Sequence, residues 1–107
     1  MKIALVQQHA TKDPKENLDR GIAAFRQAVE DGAQLVAFAE LAFLPFLPQS
    51  PATPQSVSYA ETIPGPTVEK FRKLARENET VVVLNLFETD GKNTYDSSPV
   101  IDTDGTL

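Results

Sequence analysis

Glu40 is the one carboxylate in a long apolar run, LVAFAELAFLPFLPQ, that spans residues 35–49. A charge set among apolar side chains is costly unless it is paired or neutralised, so an acid in this place has either a compensating partner or a chemical task. A carboxylate partly sheltered by Phe38, Phe43 and Phe46 would hold its proton more tightly than a solvated one. That moves it toward the range useful to a general base near neutral pH. The competing reading is a glutamate that reaches solvent or pairs with a lysine. Phe43 and Phe46 likewise admit two readings: they wall a substrate pocket, or they plug the edge of the core.

Few other residues have chemistry to offer. His9, the sole histidine, has no Asp, Cys or second His at ligand spacing, so it reads as a loop residue and no metal site is expected. Ser97 and Ser98 have no histidine nearby and read as turn or strand-edge hydroxyls. Lys70 and Lys92 fall on a solvated helix face and at a hairpin tip. The chain contains no cysteine, which excludes disulfides, cysteine metal sites and a thiol nucleophile within these 107 residues. Nothing calls for a cofactor.

The elements that must position Glu40 are legible in outline. Residues 2–8 (KIALVQQ) read as a short strand, and Asp13-Pro14-Lys15-Glu16 offers an acidic N-cap, a proline at the first helical position and a capping-box glutamate. Leu18, Ile22, Phe25 and Val29 then share one helical face, with Gly32 as a left-handed C-cap, so a helix should end near Asp31. Residues 34–39 follow as a continuous apolar strand suited to cover on both faces, completing a parallel βαβ unit with Glu40 at the strand's end. In such sheets ligands bind beyond the carboxyl ends of the strands.

Residues 44–58, broken by Pro45, Pro48, Pro51 and Pro54, read as a loop without regular structure. A second helix should begin at Pro66 or Thr67, with Val68, Phe71, Leu74 and Ala75 on one face, and end near Asn78. Residues 80–87 form a strongly β-branched strand and residues 95–102 a weaker one, joined by a hairpin signal at Asp90-Gly91. A further turn signal, Asp104-Gly105, comes just before the last residues.

Bulk properties narrow the function. A chain of 107 residues has room for one modest α/β domain. With 15 acidic against 10 basic side chains, a formal charge of -5 and no basic block, nucleic acid is not an expected partner. No apolar stretch approaches the roughly 20 residues of a membrane span, and the amino terminus lacks a signal-peptide pattern, so a cytoplasmic protein with no membrane partner is expected.

Five stretches in order resemble the amino-terminal part of the nitrilase, or carbon–nitrogen hydrolase, superfamily. They are Ile3-Ala4-Leu5-Val6-Gln7 with Asn17, Val36-Ala37-Phe38-Ala39-Glu40-Leu41, Ile63-Pro64-Gly65-Pro66-Thr67, Val83-Leu84-Asn85-Leu86-Phe87-Glu88, and the segment from Tyr95 through Gly105. The resemblance implies part of a four-layer αββα sandwich and a Glu, Lys and Cys catalytic set that hydrolyses nitriles, amides or N-carbamoyl compounds. Glu40 matches the glutamate, the general base toward the cysteine thiol. The lysine, which would stabilise the oxyanion, and the cysteine match positions beyond Leu107. The variant Glu40-Leu41-Ala42-Phe43-Leu44-Pro45-Phe46 is similar to the amidase and N-carbamoyl-hydrolase members. The expectation is therefore a partial domain over residues 1–107, cut after the Asp104-Gly105 turn, from a hydrolase of small linear amide or N-carbamoyl substrates. Half a sandwich also leaves apolar strand surface uncovered, so a homo-oligomer is expected. The alternative is a non-catalytic nitrilase-like fragment that serves as an interaction module.

Overall fold

The computed structural model describes residues 1–45 and 47–107, so the expectation attached to Phe46 lies outside the described residues. Its elements run β1 (Ile3–Val6), α1 (Pro14–Glu30), β2 (Leu35–Phe38), a 3-10 turn (Leu47–Gln49), α2 (Pro54–Val57), α3 (Pro66–Asn78), β3 (Val81–Val83), β4 (Leu86–Thr89), β5 (Thr94–Ser97) and β6 (Val100–Ile101).

The first helix starts as its sequence dictates. The Asp13 carboxylate accepts hydrogen bonds from the amides of Lys15 (3.0 Å) and Glu16 (3.4 Å), and Pro14 opens the first turn. The reciprocal half of the expected capping box is absent, because Glu16 is drawn instead to Arg20 one turn on, at 2.8 Å. After Asp31 the chain turns back through Gly32 at φ +89°, a conformation that only glycine adopts without strain. This returns the chain to β2, which pairs in parallel with β1 and with β3, while β6 adds antiparallel to β3.

Helices α1 and α3 cover one face of this four-stranded sheet. Phe25 from α1 and Val68, Phe71, Leu74 and Ala75 from α3 are buried against Val36, Phe38, Val82 and Ile101 of the strands. Phe71 sits at the centre, its ring 6.2 Å from Phe25, 5.3 Å from Phe38 and 5.6 Å from Phe43 between centroids. The opposite face is open. The register aligns Ile3, Leu35 and Val81 in one row and Leu5, Ala37, Val83 and Val100 in the next, and every one of these is apolar. Leu5 is 81% exposed, and Ile3 and Val100 are both more than half exposed. The expectation that β2 is covered on both faces is thus corrected: its second face has the composition of a buried one, but among the described residues nothing lies over it.

Three further expectations are revised. The apolar run at residues 80–87 is two strands rather than one: β3 belongs to the main sheet and β4 to a separate two-stranded sheet with β5. The run at residues 95–102 splits the same way, into β5 and β6, because Pro99 has no amide hydrogen with which to continue a ladder. The proline-rich loop also holds ordered turns. Pro54 occupies the first position of α2, where a missing amide costs nothing, and Thr53 and Ser56 cap each other reciprocally at 3.1 and 2.8 Å. The Asp90-Gly91 hairpin forms as expected between β4 and β5. Its carboxylate, Asp90, is held down to about 2 by hydrogen bonds from the Asn93 and Lys92 amides and the Tyr95 hydroxyl.

Candidate active site

The turn that follows β2 decides where Glu40 points. Leu41 has a left-handed backbone, φ +49°, which a non-glycine residue adopts at a cost of order 1–3 kcal/mol and keeps only where the surroundings fix it. Four contacts do so, three of them from other parts of the chain and one within the turn. Asn85 Oδ1 accepts the Leu41 amide at 2.8 Å, and Gln8 Nε2 donates to the Ala42 carbonyl at 3.2 Å. Asn17 Nδ2 donates to the Phe43 carbonyl at 3.2 Å, and the Leu44 amide closes on the Leu41 carbonyl at 3.1 Å. Asn17 is fully buried in α1 and also exchanges hydrogen bonds with the backbone of Thr11 at 2.7 and 2.8 Å, so it ties the loop after β1 to this turn. The side chains of Leu41, Ala42 and Phe43 are buried beneath it. Gly21 of α1 permits that approach, since a Cβ there would overlap the Phe43 ring.

Glu40 therefore projects outward from a pinned platform, and its side chain is exposed. It borders a cavity of about 370 Å³ together with Leu47, Val57, Phe87, Tyr95 and Asp96. Its proton affinity is raised above the ordinary glutamate value. The chief cause is a hydrogen bond with the Asp96 carboxyl, followed by the negative charge of Asp96, with desolvation the least. The direction agrees with the sequence expectation and the cause does not. Phe38 and Phe43 pack against each other and against Phe71 within the core rather than sheltering the carboxylate.

Phe43 is thus not brought into Glu40's cavity. Its ring edge contributes instead to a second cavity of about 290 Å³ between the starts of α1 and α3, with Leu18, Tyr59, Glu61 and Lys70. Leu41 and Phe87 line both spaces and separate them. The remaining candidates stay apart from the Glu40 cavity, as expected. His9 is exposed and offers its carbonyl to Arg20 at 2.6 Å, and Lys92 sits exposed beside the hairpin turn. Ser97 donates to Glu88 at 2.8 Å, and Ser98 accepts from Asn85 at 3.0 Å. Among the described residues no group of three or more His, Asp or Glu side chains could hold a metal ion, and no helix is long and apolar enough to cross a membrane.

Two residues of the site carried no assigned role at the sequence level. Asp96 meets Glu40 from β5, and Asn85 stands where the chain leaves β3 for β4. From there Asn85 grips the Leu41 amide with its oxygen and Asp96 Oδ1, at 2.7 Å, with its nitrogen. The available signal was a polar residue, Asn85, inside an otherwise apolar strand-like run, which marks a crossing point between sheets. The arrangement can take up and return a proton at an exposed carboxyl beside a cavity. Among the described residues it offers neither a thiol nor a cation at that place.

Comparison with known proteins gives this arrangement a context. Residues 2–107 match the carbon-nitrogen hydrolase family. The chain is 32% identical over 107 residues to the ω-amidase of Bos taurus, covering 99% of this chain and 37% of that protein. It is 34% identical over 110 residues to the N-carbamoylputrescine amidase of Oryza sativa, covering 99% of this chain and 35% of that protein. The crystal structure of an amidase from Nesterenkonia sp. superposes with a TM-score of 0.77 at 27% identity, over 98% of this chain and 39% of that one. A mutant of that amidase carries acrylamide added at its active-site cysteine. The chain spans between a third and two fifths of the length of these relatives.

Proposed function

Since the chain belongs to the carbon–nitrogen hydrolase family, we propose that it is the amino-terminal portion of an enzyme that hydrolyses a linear amide or N-carbamoyl compound, with Glu40 as its general base. The observation that carries this reading is the exposed Glu40 carboxyl, proton affinity raised, on a strained and fully anchored turn at the carboxyl end of β2. A cavity of about 370 Å³ beside it lies within the size range of small-molecule sites.

The chemistry follows from what the chain has and lacks. There is no thiol among its 107 residues, so in this reading the nucleophile comes from the remainder of the complete protein, as does the oxyanion-stabilising lysine that the family resemblance implies. Glu40 takes the thiol proton as sulfur attacks the carbonyl carbon, and the lysine holds the resulting oxyanion. The proton passes to the departing nitrogen, the carbon–nitrogen bond breaks and ammonia or an amine leaves a thioester. Water then adds with Glu40 again accepting its proton, and the thiol and a carboxylic or carbamic acid are released. An aliphatic nitrile would enter the same route through a thioimidate. A cytoplasmic setting is consistent with such substrates.

The test is ammonia release by the complete protein from three panels: linear ω-amides, N-carbamoyl amines and aliphatic nitriles. Turnover of an amide or carbamoyl compound is expected, with none from the 107-residue chain alone. Failure of the complete protein on all three panels, or turnover by the short chain, overturns the reading.

The open apolar face of the main sheet favours a second property, association of this chain with itself or a partner, and with it the reading of an interaction module. Sedimentation of the 107-residue chain should show mass increasing with concentration. A compact monomer throughout the micromolar range would count against it.

A further inference from the structure

We propose that Asn85 is a positioning residue of this site, fixing Glu40 from the Leu41 side with one end of its amide and presenting Asp96 to it with the other. The inference rests on Glu40 being the base and goes on to say what holds it in place. A primary amide has an acceptor end and a donor end fixed in one plane, and Asn85 uses both. Its oxygen takes the Leu41 amide at 2.8 Å, which anchors the left-handed residue immediately after Glu40. Its nitrogen gives hydrogen bonds to Asp96 Oδ1 at 2.7 Å and to Ser98 Oγ at 3.0 Å, which anchors β5 and the first residue after it. One side chain thus joins the turn that carries Glu40 to the strand that carries Asp96, across 44 residues on one side and 11 on the other.

The consequence is chemical. A carboxyl set beside a second one holds its proton more tightly, and Glu40 does so next to Asp96. Asn85 grips Asp96 at 2.7 Å and so keeps in place the carboxyl that raises the proton affinity of Glu40, the exposed member facing the cavity. The other groups packed around the pair do not disturb this arrangement. From β5 the Tyr95 hydroxyl also borders the cavity but donates to Asp90 at 2.9 Å, and Glu88 of β4 is taken by Ser97 at 2.8 Å. The segment around the 3-10 turn and α2 contributes only the Ser50 and Ser56 hydroxyls, and among the described residues no lysine, arginine or histidine lines the cavity.

The experiment is a carboxyl-carbon NMR titration of the 107-residue chain, with amide exchange of Leu41 recorded in the same samples. In the unaltered chain, the Glu40 carboxyl should show two inflections, its own raised above the ordinary glutamate value by the carboxyl beside it. Asn85→Ala should speed Leu41 exchange by about tenfold, the loss of one ordinary hydrogen bond, and return Glu40 to a single inflection at lower pH. Asn85→Asp separates the two ends. It keeps an acceptor for the Leu41 amide, so exchange stays slow, but sets a third carboxylate against Asp96, so the cluster keeps its proton to higher pH. A purely structural asparagine would not divide the two readouts in this way. Asp96→Asn leaves an acceptor for Asn85 and should also give Glu40 a single, lower inflection, which keeps the inference testable where Asn85 variants do not fold.

The inference is overturned if Glu40 titrates in a single step in the unaltered chain, or if its titration is the same in the unaltered chain and in the folded Asn85→Ala and Asp96→Asn variants. No substrate enters these measurements. An unmoved titration therefore leaves the base assignment standing, whereas a base assignment refuted by turnover leaves the carboxyl pair standing.

Discussion

Replacing Glu40 with glutamine in the complete protein is expected to lower turnover by about 10²–10⁴-fold, the usual worth of a positioned acid–base group, and to leave folding intact. Glutamine keeps the shape of the side chain and cannot accept the thiol proton. Stability should not fall, because the side chain is exposed and buries nothing against the core. Its titration points the same way. The folded state holds the Glu40 proton above the reference value of 4.5, so the stability it contributes is present below that pH and is lost as pH rises through the raised value. Above the raised value the Glu40 charge works against the fold and Glu40→Gln removes that opposition, so there the melting temperature should be unchanged or higher, with the difference altering as pH falls. Glu40→Asp should also be poor, since shortening the arm withdraws the carboxyl by about 1 Å, a misplacement that is costly at a reacting centre. Near-normal kcat in Glu40→Gln would reduce the residue to a surface acid and remove the base from the mechanism.

The second large effect lies in the core. Phe71→Ala should destabilise the chain by about 3–5 kcal/mol, the range for emptying a buried phenylalanine site. Phe71 is fully buried and its ring meets those of Phe25, Phe38 and Phe43, so no single neighbour can move in to fill the space. Small domains have about 5–15 kcal/mol in total and those with an incomplete core sit low in that range, so this one change removes most of the margin. Denaturant unfolding measures it directly. The effect should also reach the site, because Phe38 and Phe43 flank the turn that presents Glu40. A loss below about 1 kcal/mol would mean that the aromatic cluster is not the centre of the core.

What could be read in the sequence followed the range over which each signal acts. The helix over Pro14–Glu30 and that over Pro66–Asn78 were legible because capping and helical periodicity are local, and Phe25 and Phe71 fall on the faces their spacing implies. Glu40 at the end of β2 was legible for the same reason. Residues 80–87 were not resolved into two strands, because β-branched character states that a segment is extended and nothing about which sheet receives it. Asp96 was invisible as a partner of Glu40, since only the β4–β5 register and the Asn85 contact bring it near. Phe43 left two readings open, pocket wall or core plug, because proximity to Glu40 in sequence does not say which side it takes: the left-handed residue between them turns its ring into the core.

The crossing from β3 to β4 also has a bearing on the order in which the molecule assembles. Contacts that close short loops form soonest, because little chain entropy is lost in making them. The β4–β5 hairpin closes locally, with Asn85 and Asp96 only 11 residues apart, so Asn85 can hold Asp96 before either meets the rest of the protein. The bond from Asn85 to Leu41 spans 44 residues and must wait until β2 and β3 lie side by side. The carboxyl pair is therefore a late product of folding. A chain that has gained its helices and its hairpin but not this junction would have native secondary structure without Glu40 and Asp96 brought together. The slowest step in its maturation would be the docking of one preformed piece onto another rather than the formation of either.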